Sequence, residues 1–363
     1  MKTSVLNGGL EVSSIAMGCW ALAGDATWGP QDEAAAIAGV HAALDYGITL
    51  FDTAELYGAG VSEGLLGKAL AGRRSQAVIA SKFKPENASP AALRAACERS
   101  LQYLRTDFID LYQIHWASRE VPLVETWGEL CRLRDEGKLR AIGVCNHGCQ
   151  DLDDLLALGR PARIGRKTSR GLSRFSGHRC EAVVGENGTV PFECRSNQLP
   201  YNLLWRAIEF EILPRCRREG LGVLCYSPLQ ISLLSGKFHA PADVPAGRAR
   251  SRHFAADRPQ TRHGEPGCEA ETFEALARLE QIAEQLGCSL PQLAIAWLLH
   301  QPGVSSVLCG IRSPEQARAN AAAAEITLSP ALLAELDAAT LPVRDKLGPN
   351  PDMWESTSRS RYR

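Results

Sequence analysis

The feature that most constrains the fold is a regular alternation of short apolar, strand-like runs with longer segments of helical periodicity. The eight strand candidates are, in chain order, Ile15 to Met17, Thr49 to Phe51, Val78 to Ser81, Asp110 to Ile114, Ala141 to Val144, Ser196 to Gln198, Gly222 to Tyr226 and Val304 to Leu308. The helical patterns are Gln31 to Tyr46, Ser62 to Leu70, Pro90 to Leu104, Pro122 to Glu136, Gln150 to Leu158, Ile208 to Glu219, Glu269 to Leu286 with Pro291 to His300, and Pro314 to Ala324. Strict alternation requires parallel strands with right-handed crossovers, so 363 residues with this pattern predict an α/β fold, a closed (β/α)8 TIM barrel. An open doubly wound sheet is the structural alternative.

Two segments outside this alternation carry their own predictions. Val5 to Val12 contains Asn7-Gly8-Gly9, which is typical of a hairpin turn, and this N-terminal hairpin would close the bottom of the barrel. The long stretch from Gly236 to Gly267 is rich in Pro, Gly, Arg and His and follows strand seven. In a barrel it lies on the active-site face, either as a lid or as a disordered surface loop.

A further segment, Ala162 to Arg195, separates helix five from strand six, where connections normally take about 2–6 residues. We interpret residues 162–195 as an insertion in a single barrel domain that spans residues 1–363. The insertion is rich in arginine and weakly apolar up to Ala182, which predicts a mobile basic segment followed by at most a small hairpin. It enters at the amino-terminal face of a barrel, so we expect it to be dispensable for chemistry. A docking arm for an acidic partner or a subunit contact is the alternative.

Composition excludes several classes of partner. With 40 Lys and Arg against 41 Asp and Glu, the net charge of −1 gives no electrostatic reason to expect nucleic acid or an anionic membrane. No window approaches the ~20 apolar residues of a spanning helix, and the first residues do not resemble a signal peptide. The 12 cysteines are scattered and form no disulfide framework, so we expect reduced thiols in a cytoplasmic protein of undetermined oligomeric state.

Several familiar chemistries lack their motifs. The chain contains neither the G-x-G-x-x-G fingerprint nor a P-loop, so a Rossmann-type nucleotide site is not expected. No H-x-H pair and no G-x-S-x-G elbow occur, which counts against a metal-dependent barrel hydrolase and a serine hydrolase. The best metal-like cluster, Cys145, His147 and Cys149, lacks the second ligand pair of a structural zinc site, so we expect no metal.

Titratable side chains follow three successive strands. Asp52 follows strand two, Lys82 follows strand three and His115 follows strand four, so a barrel brings all three to one rim. Tyr57 lies in the loop after Asp52. Each residue alone has a plain structural explanation, but together they fit a tuned acid. A Lys ammonium beside the Tyr hydroxyl is expected to lower the Tyr pKa from ~10 towards neutrality. Such a Tyr donates a proton to a developing alkoxide, with His donating to the same oxygen.

These residues lie in segments that resemble the aldo-keto reductase family. The resemblance covers nearly the whole chain outside the insertion. Its motifs are Gly47-Ile-Thr-Leu-Phe-Asp-Thr-Ala-Glu-Leu-Tyr-Gly58 with Ser62-Glu63, Ile79-Ala-Ser-Lys82, Asp110-Leu-Tyr-Gln-Ile-His115, Gly143-Val-Cys-Asn146, Ser196-Asn-Gln-Leu-Pro-Tyr-Asn202, Tyr226-Ser-Pro228 and Gly310-Ile-Arg-Ser-Pro-Glu-Gln316. Where the family usually has Ser before the Asn of strand five, this chain has Cys145.

The resemblance implies roles for these positions. It makes Tyr57 the proton donor, tuned by Lys82 and Asp52, and makes His115 the residue that orients the carbonyl. It also implies a set of residues that bind the cofactor NADPH (NADP). Asn146 and Gln198 would bind the nicotinamide carboxamide, and Tyr226 would stack beneath the ring. Gly18, Trp20 and Ser227 are also expected to contact the cofactor. On the adenosine side the residues are Gly310, Arg312, Gln316 and Asn320.

The adenosine side also has a local sequence signal. Ser313-Pro314-Glu315-Gln316 reads as a capping box with Pro at the first helical position, so a helix amino terminus suited to an anion opens after strand eight. Arg312 beside it favours the 2′-phosphate of NADPH over NADH. An ordinary capped helix with a surface arginine is the alternative.

Together these features predict an NADPH-dependent oxidoreductase that reduces a small-molecule aldehyde or ketone. Two alternatives keep the same residues but differ in class. One is a slow-turnover, NADPH-binding regulatory subunit of the same fold, like the potassium-channel β subunits; the other is a structural barrel without nucleotide. The substrate depends on loops whose shapes the sequence does not give. Four tryptophans either line an apolar pocket or pack against the rim of the barrel: Trp20, Trp28, Trp116 and Trp205.

Overall fold

A computed structural model describes residues 1–24, 27–158 and 194–363. Its strands are β1 Thr3–Leu6, β2 Leu10–Ser13, β3 Ile15–Gly18, β4 Leu50–Asp52, β5 Val78–Phe83, β6 Ile109–Ile114, β7 Leu139–Cys145, β8 Cys194–Pro200, β9 Gly222–Tyr226 and β10 Val304–Gly310. Its α-helices are α1 Glu33–Asp45, α2 Val61–Ala69, α3 Pro90–Leu104, α4 Leu123–Asp135, α5 Cys149–Leu158, α6 Ile212–Arg218, α7 Glu269–Gln285, α8 Leu290–Leu299, α9 Pro314–Ala323 and α10 Pro330–Leu347.

Strands β3 to β10 close into a parallel barrel, which confirms the predicted (β/α)8 fold and excludes an open sheet. Each strand pairs with the next in sequence, and β10 closes the ring by pairing with β3. The register sets Gly18 of β3 beside Asp52 of β4 and also beside Gly310 of β10. The carboxyl ends of the strands therefore form one rim, where functional residues of such barrels collect.

The amino-terminal hairpin closes the opposite end of the barrel, as predicted. Strands β1 and β2 pair antiparallel around the turn, with Leu6 opposite Leu10. The side chains of Leu6 and Val12 are 1% and 0% exposed and join an apolar cluster inside the barrel. Barrel residues in that cluster are Ala16, Leu50, Ala80, Leu111, Ala141, Leu224 and Leu308. Burying these apolar side chains removes the amino-terminal end of the barrel from water.

Side-chain caps define several helix starts. Asp32 accepts a hydrogen bond from the amide of Ala35 and caps α1, and Ser289 with Gln292 forms a capping box at α8. Ser329 caps α10, which has Pro330 at its first position. The predicted pattern ended at Ala324 and missed α10, although Ser followed by Pro is a typical helix start.

The two long segments have different outcomes. The predicted insertion of residues 162–195 lies outside the described residues, except that Cys194 and Arg195 already belong to β8. The segment from Gly236 to Gly267 is described, and it is not a disordered surface loop, because Ser251, His253 and Phe254 within it are buried.

Within the described ranges, no single helix is long and apolar enough to cross a bilayer. The pair α7 and α8, bent by 91° at their junction, meets the length and composition criteria jointly.

Candidate active site

Lys82 lies at the carboxyl end of β5 and is completely buried. Its Nζ donates to Asp52 Oδ2 at 2.6 Å, to the main-chain oxygen of Thr53 at 2.8 Å and to the Tyr57 hydroxyl at 3.1 Å. An ammonium has three hydrogens, so all three are used and the group is held in one orientation. Burial alone would lower the pKa of Lys82, but the Asp52 carboxylate and the neighbouring Tyr57 raise it above its usual value. A fixed cation therefore faces the Tyr57 oxygen.

The acidity of Tyr57 differs from the expectation. Burial raises the pKa of Tyr57 to about 12, although the Lys82 ammonium acts to lower it. The prediction that Lys82 brings this pKa towards neutrality is therefore wrong for the described structure, because removal from water outweighs the cation. Tyr57 stays protonated across the physiological range, which suits a proton donor.

His115 follows β6 directly and faces Tyr57. The two ring centroids are 6.0 Å apart and the rings are nearly perpendicular, at 86°. Burial, together with the Lys82 cation, lowers the pKa of His115 to about 3. The imidazole is therefore neutral and offers one N–H, which makes it a hydrogen-bond donor and not a second cation. The structure thus brings the four predicted catalytic residues to one rim.

Two side-chain amides lie near the ends of the neighbouring strands, Asn146 directly after β7 and Gln198 within β8. Asn146 has a left-handed backbone, with φ of 58°, which Asn tolerates better than most residues. Gln198 Nε2 donates to Asp52 Oδ1 at 2.7 Å, so the carboxylate that holds Lys82 also holds this amide. Cys145 Sγ makes two contacts, 3.7 Å to Gln198 Oε1 and 3.1 Å to Asn146 Nδ2, and a thiol is a weaker partner than a hydroxyl in both.

Tyr226 and Ser227 lie at the end of β9, next to these amides. The Tyr226 hydroxyl donates to Asn146 Oδ1 at 2.9 Å, and the Tyr226 side chain is half-buried. Ser227 begins a turn of unusual backbone, with φ of 55°, and Gln230 to Ser232 also have positive φ. Successive amides in such turns face one concave side, which suits an anion.

After β10, the strand that pairs with β9, the Arg312 guanidinium lies against the loop before α1. It donates to Gln31 Oε1 at 2.6 Å, to the main-chain oxygen of Trp28 at 2.8 Å and to that of Pro30 at 2.5 Å. A guanidinium has five N–H groups, so these three hydrogen bonds use three of them. Sequence reasoning did not foresee the clasp, because it depends on the path of the Trp28 to Gln31 loop.

The amino terminus of α9 differs from the predicted capping box. The Ser313 side chain accepts no hydrogen bond from the first turn, and Gln316 Oε1 accepts from the main-chain amide of Arg312 at 2.8 Å. Asn320 Nδ2 donates to the main-chain oxygen of Gly310 at 3.3 Å. Helix α9 begins where predicted. Its first turn is closed by Gln316, which accepts from the amide of Arg312, one residue before Ser313.

The four tryptophans separate into two groups. The ring of Trp20 stacks at 6.0 Å from that of Tyr57, and Trp28 meets Trp20 edge-on at 5.5 Å. Trp116 directly follows His115 and is half-buried. Trp205, in contrast, is completely buried and belongs to the core. Three of the four residues therefore surround the catalytic rim, and Trp205 does not.

A metal centre finds no support in the described residues. No group of three or more His, Cys, Asp or Glu side chains in those ranges is arranged to hold an ion. In the metal-like cluster, His147 Nδ1 is instead hydrogen-bonded to the main-chain oxygen of Cys145 at 3.0 Å.

Two residues of the site were missed by the sequence reasoning. Gln113 on β6 is completely buried and its Nε2 lies 3.4 Å from Asp52 Oδ1. Tyr362, near the end of the chain, donates to Asn146 Oδ1 at 2.6 Å. Gln113 carried a signal, since it is polar within a predicted buried strand. Tyr362 carried none.

Known proteins with similar sequences are aldo-keto reductases. The sequence model of the aldo/keto reductase family matches residues 14–340. Aldo-keto reductase YhdN of Bacillus subtilis is 33% identical over 328 residues, which cover 87% of this chain and 86% of the relative. A protein of Escherichia coli named NADH-specific methylglyoxal reductase is 31% identical over 345 residues, 89% of this chain and 93% of its own length.

Solved structures agree with the sequence relatives. An aldo-keto reductase from Klebsiella pneumoniae in complex with NADPH is 28% identical, with a TM-score of 0.67 over 98% of this chain and 100% of that chain. A glycerol dehydrogenase from Gluconobacter oxydans is 29% identical, with a TM-score of 0.74 over 96% of this chain and 97% of that chain.

Proposed function

Because the chain belongs to the aldo/keto reductase family, we propose that it is an NADPH-dependent oxidoreductase that reduces a small aldehyde or ketone, with Tyr57 as general acid. The observation that carries this proposal is the buried Lys82 ammonium, whose three hydrogens are shared by Asp52, Thr53 and the Tyr57 hydroxyl. When bound, NADPH supplies the hydride. Tyr57 supplies the proton to the substrate oxygen.

The protonation states support this division of roles. Tyr57 is protonated at neutral pH because its pKa is about 12, and the neutral His115 ring offers an N–H to the same oxygen. As negative charge develops on that oxygen, both donors and the nearby Lys82 cation stabilise it. When Tyr57 gives up its proton it becomes a phenolate, and the Lys82 ammonium beside its oxygen stabilises that negative charge.

The residues present fit a nicotinamide dinucleotide. Asn146 and Gln198 present an amide donor and an amide acceptor next to the half-buried Tyr226 ring. Ser227 begins an anion-compatible turn, and Arg312 lies beside the start of α9. The Klebsiella structure contains NADPH, whereas one Escherichia coli relative is named NADH-specific. We propose that Arg312 gives this chain a preference for NADPH over NADH.

Replacing Arg312 by Ala is expected to weaken NADPH binding by about 10- to 100-fold, because a charge-assisted contact to the 2′-phosphate is lost. NADH has no such phosphate, so its affinity should fall by about threefold or less, through loss of the loop clasp. Fluorescence titration of both cofactors measures the difference. Arg318→Ala, which removes an exposed arginine on α9, the helix that follows Arg312, is the control. Equal losses of affinity for NADPH and NADH would show that Arg312 only holds the Trp28 to Gln31 loop and does not contact the 2′-phosphate.

The pH profile is a second test. With pKa values of about 12 for Tyr57 and about 3 for His115, neither group titrates near neutrality. We therefore expect kcat/KM for reduction to vary by no more than about twofold between about pH 6 and about pH 9. Oxidation of the alcohol needs the deprotonated phenol and should rise with pH. A reduction profile that falls through an apparent pKa near 7 would show that the Lys82 cation dominates.

Methylglyoxal is the first substrate to test, because two Escherichia coli relatives are named methylglyoxal reductases. Consumption of NADPH should be followed with methylglyoxal, with a simple ketone and with an aldose sugar. Oxidation of glycerol by NADP tests the reverse direction suggested by the Gluconobacter structure. Turnover with at least one carbonyl supports the reductase. Tight NADPH binding without turnover on any of them would favour the regulatory subunit.

A further inference from the structure

The end of the chain returns to the catalytic rim. We call residues 350–363, which follow α10, the C-terminal strap. Within it, Tyr362 is 8% exposed, and its hydroxyl donates to Asn146 Oδ1 at 2.6 Å. The Tyr226 hydroxyl donates to the same oxygen at 2.9 Å. Burial raises the pKa of both phenols well above their usual value, so both remain donors. The two lone pairs of one amide oxygen are thus occupied by phenols from distant parts of the chain.

The opposite side of the Asn146 amide is also determined. Asn146 Nδ2 lies 3.1 Å from the main-chain oxygen of His115 and 3.1 Å from Cys145 Sγ. A main-chain carbonyl only accepts, so the nitrogen must face His115 and the oxygen must face the phenols. One hydrogen of the amide is used by His115. The second meets only the weak sulfur acceptor and is available to a better one.

In Gln198 it is the amide nitrogen that is engaged and the amide oxygen that is left available. Its Nε2 donates to Asp52 Oδ1 at 2.7 Å, and a carboxylate likewise only accepts. Gln198 Oε1 is left with one long contact, 3.7 Å to Cys145 Sγ. The neighbouring amides therefore present one N–H donor and one oxygen acceptor. A primary carboxamide offers the complementary pair, a C=O that accepts and an NH2 that donates.

The strap is firmly attached on both sides of Tyr362. The Arg361 guanidinium pairs with Asp352 at 2.7 and 2.8 Å and lies 3.9 Å from the Trp116 ring centre. The Tyr362 ring meets Trp116 edge-on at 5.2 Å. Arg363 offers its main-chain oxygen to the amides at the start of α5. Ion pair, ring contact and main-chain hydrogen bonds together fix the phenol where Asn146 needs it.

We propose that Tyr362 is a positioning residue for the nicotinamide carboxamide, acting through Asn146. Its hydroxyl holds Asn146 Oδ1 away from the cofactor position, so that Nδ2 faces the carboxamide oxygen while Gln198 Oε1 faces the carboxamide nitrogen. The C-terminal strap is then a functional part of the cofactor site and not only a cover for the barrel. This inference rests on the proposed NADPH function.

Tyr362→Phe tests the proposal because it removes the hydroxyl and keeps the ring against Trp116. Binding should be measured for NADPH and for 2′-phospho-ADP-ribose, which lacks the nicotinamide. We expect NADPH affinity to fall by about 3- to 10-fold, the value of one hydrogen bond, and 2′-phospho-ADP-ribose affinity to stay within about twofold. Tyr46→Phe, at an exposed tyrosine, is the control. In an Asn146→Ala background, adding Tyr362→Phe should cost no further NADPH affinity.

Each other outcome has a definite meaning. Unchanged NADPH affinity in Tyr362→Phe overturns the positioning role, and tighter binding overturns it in favour of a strap that competes with the cofactor. Equal weakening of both ligands overturns it as well, because a general loss of structure would act on the whole site. Absence of binding of either ligand to the unsubstituted protein would instead reject the NADPH function itself.

Discussion

Replacing Tyr57 by Phe is expected to lower kcat for carbonyl reduction by ~10²- to 10⁴-fold, the contribution typical of a positioned general acid. The Tyr57 hydroxyl acts on the substrate oxygen, so the Kd for NADPH should stay within about twofold. The ring remains stacked near Trp20, which keeps the shape of the rim. Steady-state kinetics and fluorescence titration on the same preparation measure both quantities.

Tyr46→Phe is again the matched control, because Tyr46 is exposed at the end of α1. Its kinetics should equal those of the unsubstituted protein. A Tyr57→Phe variant that loses NADPH affinity as strongly as kcat would show that the hydroxyl serves the cofactor. A variant that keeps most of its kcat would remove Tyr57 from the proton-donor role.

Replacing Lys82 by Met should lower the free energy of unfolding by about 3–5 kcal/mol. The Lys82 and Asp52 side chains are 0% and 3% exposed, so the substitution leaves a buried carboxylate without its cation. Activity should be lost as well, because the cation near the Tyr57 oxygen disappears. Urea unfolding and NADPH-linked turnover measure the two effects.

A second variant separates charge burial from packing. Asp52→Asn in the Lys82→Met background removes the unpaired charge, so it should recover part of the lost stability while the protein stays inactive. Lys68→Met serves as the control, because its ion pair with Glu33 is exposed and should cost no more than about 1 kcal/mol. If Lys82→Met were as stable as this control, the buried pair would not support the barrel.

The barrel was predictable because parallel strands buried on both faces consist mostly of apolar residues. All six residues of β6 are buried, for example, and Asp110 to Ile114 was recognised as a strand from sequence. Helix α10 was not recognised. Its sequence contains Pro342 and many alanines, so the apolar periodicity is weak despite the Ser329 cap.

The site was predictable where it follows strand ends and unpredictable where it depends on burial or distant contacts. Asp52 ends β4, Lys82 is the penultimate residue of β5 and His115 follows β6, so barrel topology alone brings them to one rim. The predicted direction of the Tyr57 pKa shift was wrong. The shift is set by the balance between burial, which raises the pKa, and the Lys82 cation, which lowers it, and the sequence does not give the extent of burial. Tyr362 lies 216 residues from Asn146 in sequence, and no local pattern connects them.

The Arg312 clasp illustrates the same limit. Sequence reasoning placed this arginine beside a helix amino terminus, and it lies there. Two of its hydrogen-bond acceptors are the main-chain oxygens of Trp28 and Pro30. Every residue has such an oxygen, so the sequence does not indicate these contacts. The assignment of Arg312 to the 2′-phosphate therefore stays a prediction.

The most direct test of the account uses NADPH deuterated at the transferable position of the nicotinamide ring. The protein is incubated with this cofactor and methylglyoxal, and the alcohol product is analysed by mass spectrometry. We predict one deuterium on the carbinol carbon with the unsubstituted protein, and almost no product with Tyr57→Phe although NADPH is still bound. Deuterated NADPH that binds tightly but transfers no deuterium to methylglyoxal or to any other carbonyl tested would contradict the proposed reductase.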